Sequence, residues 1–161
     1  MAQVIKSPKD SRDYSLKTTL SNLPKTFALD MGRVKSQGAT STCVAHALAT
    51  VIEYHNYKQQ GIFSEYSTEF IYGYKEPDYY TGEGMVVRQA LNTILKHGDP
   101  YLKDCPGNHN KAAAQTHVMA NRHSLTTLGY PHRISGYAKL ENSEEIKTAL
   151  IKYGPVICTI D

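Results

Sequence analysis

Two side chains capable of covalent chemistry lie six residues apart in the segment from Val34 to Ala49, VKSQGATSTCVAHALA. Cys43 carries a thiol whose thiolate is a strong nucleophile, and Gln37 carries an amide that donates hydrogen bonds. The residues between them are small or hydroxylated, and an apolar helical pattern follows. One interpretation is structural, a loop that leads into a buried helix. The other is catalytic, a thiolate stabilised by a helix N-terminus beside an amide that binds an oxyanion.

A long helix has to present Cys43 if the catalytic interpretation is correct. Apolar residues recur after it mostly at spacings of three and four, which predicts a helix with one buried face. We expect this helix to run from Cys43 to about Gln60, where Gly61 stops it. Ser41 and Thr42 precede it and are placed to cap its first amides. The apolar positions are Val44, Ala47, Leu48, Val51, Ile52 and Tyr54.

Two further helices have clear ends in the sequence. One follows the Gly-Glu-Gly turn at residues 82–84 and stops at Gly98. The other lies in ENSEEIKTALIKYG, where Asn142 and Glu145 form a capping box and Gly154 terminates the helix. The first of these helices has apolar residues along one side.

The rest of the chain has a less regular pattern. Short helices are expected over residues 64–72 and near residues 112–120. The segments HRISGYAKL and PVICTI have the alternating or β-branched pattern of strands. Because helices come first and strands come late, we predict an α+β fold class. We expect an extended arm over residues 1–22, which includes at most one short strand.

The overall composition excludes several classes of protein. With 161 residues, of which 40% are hydrophobic and 20% charged, the chain has the size and composition of one globular domain. The basic residues form no run, so we expect no nucleic-acid partner despite the net charge of +3. No apolar run approaches the roughly 20 residues of a membrane span, and the N-terminus lacks the apolar core of a secretory signal. We therefore expect no membrane association.

The three cysteines, Cys43, Cys105 and Cys158, lie far apart and form no CxxC pair. We expect free thiols and a reducing compartment, which points to the cytoplasm and is compatible with a viral or phage origin. One of them belongs to a loose cluster with histidines, but the spacings fit no compact pattern of zinc ligands, so we favour no metal site. The cluster consists of Cys105, His109, His117 and His123.

The segment that contains Cys43 resembles the active-site segment of papain-like cysteine peptidases, especially of the bacterial and viral branch. Gln37, Gly38 and Cys43 match in type and spacing the glutamine, the glycine and the nucleophilic cysteine of that family. LPKTFALD resembles the mature N-terminal segment, and GEGMVVRQALNTILKHGD resembles the Gly-rich substrate turn with its helix. RISGYAKLENSEEIKTALIKYGPVICTID resembles the stretch that ends in Gly-Pro-Val and a strand. The resemblance predicts one peptidase domain over residues 23–161, with a poor match over residues 104–128.

This resemblance implies a thiol protease in which Cys43 attacks a peptide carbonyl and forms an acyl-enzyme. Gln37 and the backbone amide of Cys43 would hold the oxyanion, and no metal or organic cofactor is needed. The implied partner is a peptide or protein substrate, docked along the Gly-rich turn as an added strand. The predicted substrate-binding residues are Ser41, Thr42, Gly82, Glu83 and Gly84.

Three departures from the family pattern qualify this expectation. Thr40 replaces a disulfide-forming cysteine, and Val44 replaces the aromatic residue that usually follows the nucleophile. The catalytic histidine and the asparagine that orients it would lie downstream of Asp161, so we expect the helical half of the fold with an incomplete β half. A C-terminal segment or a second chain would complete the sheet and supply the histidine. The alternative function is an inactive papain-like module that binds a peptide or a protein.

His46 and the tyrosines each admit two interpretations. His46 follows Cys43 by three residues, and a role in the core or on the helix surface is favoured over a role as catalytic base. Several tyrosines could line a peptide cleft, but filling of half-buried space is favoured. Asp13 in the N-terminal arm is expected to be solvated. The tyrosines in question are Tyr72, Tyr74, Tyr79 and Tyr80.

Overall fold

The computed structural model of the protein describes residues 4–5, 9–10, 13–17, 20–75, 82–107 and 110–159. Within these ranges the molecule is mostly helical and has one pair of short strands. None of the helices in the described residues is long and apolar enough to cross a membrane. The strands are β1 (Val4–Ile5) and β2 (Met85–Val86). The helices are α1 (Cys43–Gln60), α2 (Thr68–Gly73), α3 (Val87–His97), α4 (Lys111–Ala120), α5 (Arg122–Gly129), a 3-10 turn (Tyr130–His132) and α6 (Ser143–Lys152).

Helix α1 confirms the predicted bounds at both ends. Gly61 ends it in the left-handed conformation, with φ 70° and ψ 4°, and donates its amide to the carbonyl oxygen of Tyr57. The predicted apolar face is largely buried. The predicted cap is wrong: Thr42 is the N-cap residue, but no side chain of the described residues caps the first amides. The hydroxyl of Thr42 lies instead 2.7 Å from the hydroxyl of Thr40.

Helix α2 begins later than predicted. The sequence predicts a start at residue 64, but the helix starts after Ser67. The hydroxyl of Ser67 accepts a hydrogen bond from the main-chain amide of Phe70 at 2.9 Å. The residues before it are extended because distant groups bind them. Tyr66 forms an antiparallel bridge with Tyr101, and its amide donates to the Glu53 carboxylate at 2.8 Å. Tertiary contacts therefore decide where this helix starts.

The described part of the N-terminal arm pairs with the rest of the protein. Strand β1 lies parallel to β2, in register from Val4 and Met85 onward. Asp13 forms an ion pair with Arg88 of α3, and both side chains are mostly buried. The expectation that Asp13 is solvated is therefore wrong, and the arm is attached close to the start of α3.

Helices α3 and α6 end where the sequence predicts. Gly98 follows α3 with φ 70° and ψ −162°. The Oδ1 atom of Asn142 accepts the amide of Glu145 at 2.9 Å, which confirms the cap of α6. Helix α4 confirms the short helix expected near residues 112–120. Helix α5 was not predicted, because its sequence RHSLTTLG has no apolar stripe. The folded helix buries Leu125 and Gly129.

The two late strands predicted from sequence do not form in the described residues. Over residues 133–142 a single parallel bridge joins Lys139 to Ser15, in place of a ladder. Residues 155–159 are not assigned to a strand, and residue 160 lies outside the described residues. Alternation produces a stable strand only where neighbouring strands supply hydrogen-bond partners. The molecule is therefore mostly helical, with an incomplete β half.

Two apolar clusters hold the helices together. In the larger one the buried face of α1 packs against α2, α3 and β2, and Cys43 lies at its margin. The smaller one joins α2 to α4 and α5 through Phe70, Val118 and Leu125. The start of α1 and the turn that precedes β2 and α3 are therefore fixed on one packed framework.

Asp99, which follows α3, is fully buried, and neither carboxyl oxygen has a hydrogen-bond partner among the described residues. Burial raises the pKa of Asp99 well above its usual range, while nearby Lys35 opposes and Glu53 reinforces the shift. This carboxyl has a higher pKa in the folded state than in the unfolded state. The stability it contributes is fully present below the pKa of the unfolded state and is lost as the pH rises through the pKa of the folded state. Stability from this group therefore falls as the pH rises above about 4.

We expect Asp99→Asn to remove this pH dependence. One such group changes the free energy of unfolding by up to about 1.4 kcal/mol per pH unit. Urea unfolding of the wild type and the variant, from about pH 4 to neutrality, measures the difference. The control is Asp30→Asn, at an exposed carboxylate, which should leave the slope unchanged. Parallel pH profiles for wild type and Asp99→Asn would contradict the prediction.

Candidate active site

The loop that precedes α1 is closed by its own side chains. The Nε2 atom of Gln37 donates to the carbonyl oxygen of Thr40 at 2.6 Å, and the Thr40 hydroxyl donates to the carbonyl oxygen of Gln37 at 2.6 Å. The same hydroxyl lies 2.7 Å from that of Thr42, which is fully buried. These bonds hold Gln37 next to the start of α1. Its NH₂ group carries a second hydrogen that can serve another acceptor.

Cys43 is the first residue of α1 and is partly exposed. The first turn of the helix contains no acidic residue, and no side chain of the described residues caps its amides. The uncapped amides and the positive end of the helix dipole stabilise an anion at this position, whether a thiolate or an oxyanion. Because the helix behind Cys43 packs into the larger apolar cluster, the position of the thiol is fixed.

The Gly-Glu-Gly turn at residues 82–84 lies next to this loop. The Oγ atom of Ser41 donates to Oε2 of Glu83 at 3.4 Å. The structure therefore brings two of the predicted substrate-binding residues together, at a point two residues before Cys43. Glu83 is exposed, and no atom of the described residues lies within 4 Å of where a side chain at Gly82 would begin. The outer side of the turn at Gly82 and Glu83 is therefore exposed.

Two carbonyl oxygens of this turn already have partners within the protein. The Nζ atom of Lys75 donates to the carbonyl oxygens of Glu83 and Gly84, each at 2.8 Å. The hydroxyl of Tyr72 also donates to the Glu83 carbonyl, at 3.0 Å. Gly84 is itself buried. Side chains at the end of α2 therefore hold the main chain of the turn.

A buried ion pair fixes the chain just before the Gln37 loop. Lys35 pairs with Glu53 on α1, whose side chain is 1% exposed. The amide of Tyr66 donates to the same carboxylate at 2.8 Å. Burial raises the pKa of Glu53, and the bonds from Lys35 and Tyr66 act in the opposite direction. The pair of Lys35 and Glu53 therefore attaches the start of the Gln37 loop to α1, the helix that follows the loop.

Sequence reasoning missed both lysines. A weak signal was present for Lys35, since Glu53 stands between two apolar residues of the buried face of α1 and a buried carboxylate needs a cation. Lys75 follows the apolar run FIYGY, so burial near it was foreseeable. Which lysine pairs with which group depends on the folded chain, and the sequence spacing does not show it.

The histidines do not complete the site within the described residues. His46 lies along α1, with its Nδ1 atom 3.0 Å from the carbonyl oxygen of Thr42, which agrees with the role in the core or on the helix surface that its spacing favours. No hydrogen bond joins Cys43 to a histidine in the described ranges. In the loose cluster Cys105 is buried, whereas His109 lies outside the described residues. No three metal-ligating side chains of the described residues are grouped.

The tyrosines of α2 fill the core. Tyr72 is 1% exposed and the neighbouring Tyr74 is 2% exposed. The hydroxyl of Tyr74 lies 3.1 Å from Nε2 of His97. These two residues are therefore packing residues, as the favoured interpretation had it, while Tyr79 and Tyr80 lie outside the described residues.

Two solved structures share this architecture. The crystal structure of xylellain, a cysteine protease from Xylella fastidiosa, matches with a TM-score of 0.72 and 22% identity, over 91% of this chain and 61% of that chain. A structure from work on the limited antibody cross reactivity between the mite allergens Blo t 1 and Der p 1 matches with a TM-score of 0.67 and 20% identity. That match covers 88% of this chain and 47% of the other.

The matches are structural and partial. No protein-family model matches the sequence, and neither does any curated protein. The chain spans 61% of one matched structure and 47% of the other, which agrees with a helical half and an incomplete β half. Over the part of those proteins that it spans, the chain has the fold of papain-like cysteine proteases.

Proposed function

We propose that the protein is the nucleophile-bearing part of a cysteine-type peptidase. Cys43 attacks the carbonyl carbon of a peptide bond, while Gln37 and the main-chain amide of Cys43 bind the oxyanion. One observation carries the proposal: a partly exposed cysteine begins the long helix of a papain-like fold, at amides that no described side chain caps. All three cysteines are free thiols, which fits the reducing, cytoplasmic location expected from the sequence.

The proposed reaction has two steps. In acylation the thiolate forms a C–S bond, the C–N bond breaks, and the amine leaves after taking a proton from an imidazolium. Water then hydrolyses the thioester, which releases the acid and restores the thiol. We assign the imidazole to a histidine in a further segment or a second chain that also completes the β half. Peptides and proteins that enter as extended chains are the proposed substrates.

A peptide-binding module without catalysis is the second candidate. The observation that favours it is that no histidine bonds to Cys43 within the described residues. In this candidate the loop and the turn still bind a peptide, but Cys43 takes up an acyl group no faster than an ordinary exposed thiol.

Acyl transfer from a peptide p-nitrophenyl ester tests the proposed function. Nitrophenolate leaves without needing a proton, so the assay examines the nucleophile and the oxyanion site when the imidazole is absent. We expect a stoichiometric burst of nitrophenolate and a thioester on the peptide that contains Cys43, detected by mass spectrometry. Cys158→Ser should keep the burst, and Cys43→Ser should abolish it. Acyl groups spread equally over Cys43 and the exposed Cys158 would instead support the binding module.

Gln37→Ala is expected to slow this acylation by about 100-fold, the typical cost of one lost oxyanion donor. Alkylation by iodoacetamide should be unchanged, because that reaction develops no oxyanion. Thr40→Val is the matched control, since it removes the hydroxyl bond to the Gln37 carbonyl and keeps the amide donor. We expect it to slow acylation by less than about tenfold. Equal slowing of acylation and alkylation in Gln37→Ala would show a loosened loop and contradict the assigned role.

A further inference from the structure

Lys75 is a charged side chain buried beneath the turn at residues 82–84. It is 7% exposed and follows the end of α2. Its Nζ atom donates to the carbonyl oxygens of Glu83 and Gly84, each at 2.8 Å. It also lies 4.1 Å from the centre of the Tyr72 ring, whose hydroxyl donates to the Glu83 carbonyl at 3.0 Å. Two side chains from one end of α2 therefore hold two consecutive carbonyls of the turn.

Burial of this ammonium group is unfavourable by itself. Desolvation is the largest of the effects that lower the pKa of Lys75 to about 7; the charge of Lys111 on α4 also lowers it, and the carboxylate of Glu83 acts in the opposite direction. A methionine of similar length would fill the same space without this cost, because an apolar group needs no hydrogen-bond partners. What the lysine adds is its bonds to the main chain of the turn.

The same turn contacts the segment that leads to the nucleophile. Glu83 accepts the hydroxyl of Ser41 at 3.4 Å, and Ser41 lies two residues before Cys43. A shift of the turn therefore changes the distance between a peptide bound on it and the thiol. A misplacement of about 1 Å can slow a reaction between bound groups by about 100-fold.

We propose that Lys75 is a positioning residue, which holds the carbonyls of Glu83 and Gly84 and so sets where a peptide docks relative to Cys43. This inference rests on the proposed function, because it takes the turn to be the peptide-docking surface. Lys75 itself touches neither the peptide nor the reacting atoms. Its effect is on the affinity and the placement of the docked peptide, and the intrinsic reactivity of the thiol should be independent of it.

Inactivation by a peptidyl chloromethyl ketone separates these two quantities. The dependence of the rate on reagent concentration gives the dissociation constant of the reversible complex and the maximal alkylation rate, and iodoacetamide reports the thiol alone. We expect Lys75→Met to raise the dissociation constant by about tenfold, because this is the typical effect of losing a hydrogen bond to a charged group. The rate of alkylation by iodoacetamide should change by less than about twofold. Lys75→Arg keeps the donors and should restore part of the affinity. The matched control, Lys96→Met on the exposed side of α3, should equal the wild type.

Tyr72→Phe provides a second test if Lys75→Met does not fold. It removes the other donor to the Glu83 carbonyl and should raise the dissociation constant by about threefold. An unchanged dissociation constant in the folded variants, or a parallel change in the iodoacetamide rate, would overturn the positioning role alone. If the wild type shows no saturable binding of the peptidyl reagent, the proposed peptide site fails and the inference fails with it.

Discussion

Replacing Gly98 by alanine is expected to prevent folding or to lower the free energy of unfolding by at least about 4 kcal/mol. Gly98 has φ 70° and ψ −162°, a conformation almost confined to glycine. An added Cβ atom would lie 1.8 Å from the carbonyl oxygen of Gly129 and 2.6 Å from its carbonyl carbon. Both atoms belong to the main chain, so only separation of the ends of α3 and α5 relieves the overlap. Urea unfolding followed by circular dichroism measures the loss.

Gly61→Ala is the control for the backbone conformation. Gly61 also has φ 70°, but no atom of the described residues lies within 4 Å of the position of its added Cβ atom. Gly61→Ala should lower the free energy of unfolding by only about 1 kcal/mol, the cost of an alanine in the left-handed conformation. The difference between the two variants then measures the close contact between α3 and α5 together with the extra strain of an alanine at ψ −162° in place of ψ 4°. Similar losses at Gly61 and Gly98 would contradict that contact.

Lys35→Met is expected to lower the free energy of unfolding by about 3 kcal/mol at neutral pH, because it leaves the carboxylate of Glu53 buried without its cation. Glu53 keeps one bond, from the amide of Tyr66. Its pKa, already raised by burial from 4.5, should rise further without Lys35. A raised carboxyl pKa destabilises the fold as pH rises, so the loss should shrink in acid, where Glu53 is protonated in both states.

Two controls distinguish a buried pair from an ordinary one. Lys147→Met breaks the pair of Lys147 with Glu144, in which both side chains are more than half exposed, and should cost less than about 0.5 kcal/mol. The double variant Lys35→Met, Glu53→Leu should recover most of the stability lost by Lys35→Met alone, since neither charge of this pair is then left buried. A double variant as unstable as the single one would contradict this explanation.

Local signals were sufficient for the elements that present the nucleophile. Apolar residues at spacings of three and four predicted α1, and Gly61 predicted its end. The same reasoning predicted α3 with Gly98 and α6 with its cap at Asn142. Each of these features depends only on residues within one helix and at its two ends. The sequence alone is therefore enough to predict them.

The failures share one physical cause, which is that distant partners decide the outcome. The start of α2 depends on the contacts of Tyr66 with Glu53 and Tyr101, which hold the preceding residues extended. The expected cap by Thr42 fails because its hydroxyl meets the hydroxyl of Thr40. The segment HRISGYAKL alternates correctly, yet only Lys139 forms a bridge in it, because no neighbouring strand of the described residues offers a ladder.

The candidate site was predictable in part for the same reason. Gln37 and Cys43 lie in one short loop, so their types and spacing suggested a nucleophile beside an oxyanion donor. The contact of Ser41 with Glu83, and the bonds of Lys75 under the turn, join segments that are far apart in sequence. Those contacts required the folded chain.

Competitive labelling of the three cysteines tests most directly the claim that Cys43 is the nucleophile of a peptide site. A limiting amount of peptidyl chloromethyl ketone is added to the folded protein, iodoacetamide is used in parallel, and mass spectrometry quantifies each modified cysteine. Cys158 is exposed, whereas Cys43 is only partly exposed, so exposure alone favours Cys158. We expect the peptidyl reagent to modify Cys43 first, with a larger preference over Cys158 than iodoacetamide shows. The same ratio of Cys43 to Cys158 with both reagents, or faster modification of Cys158 by the peptidyl reagent, would contradict it.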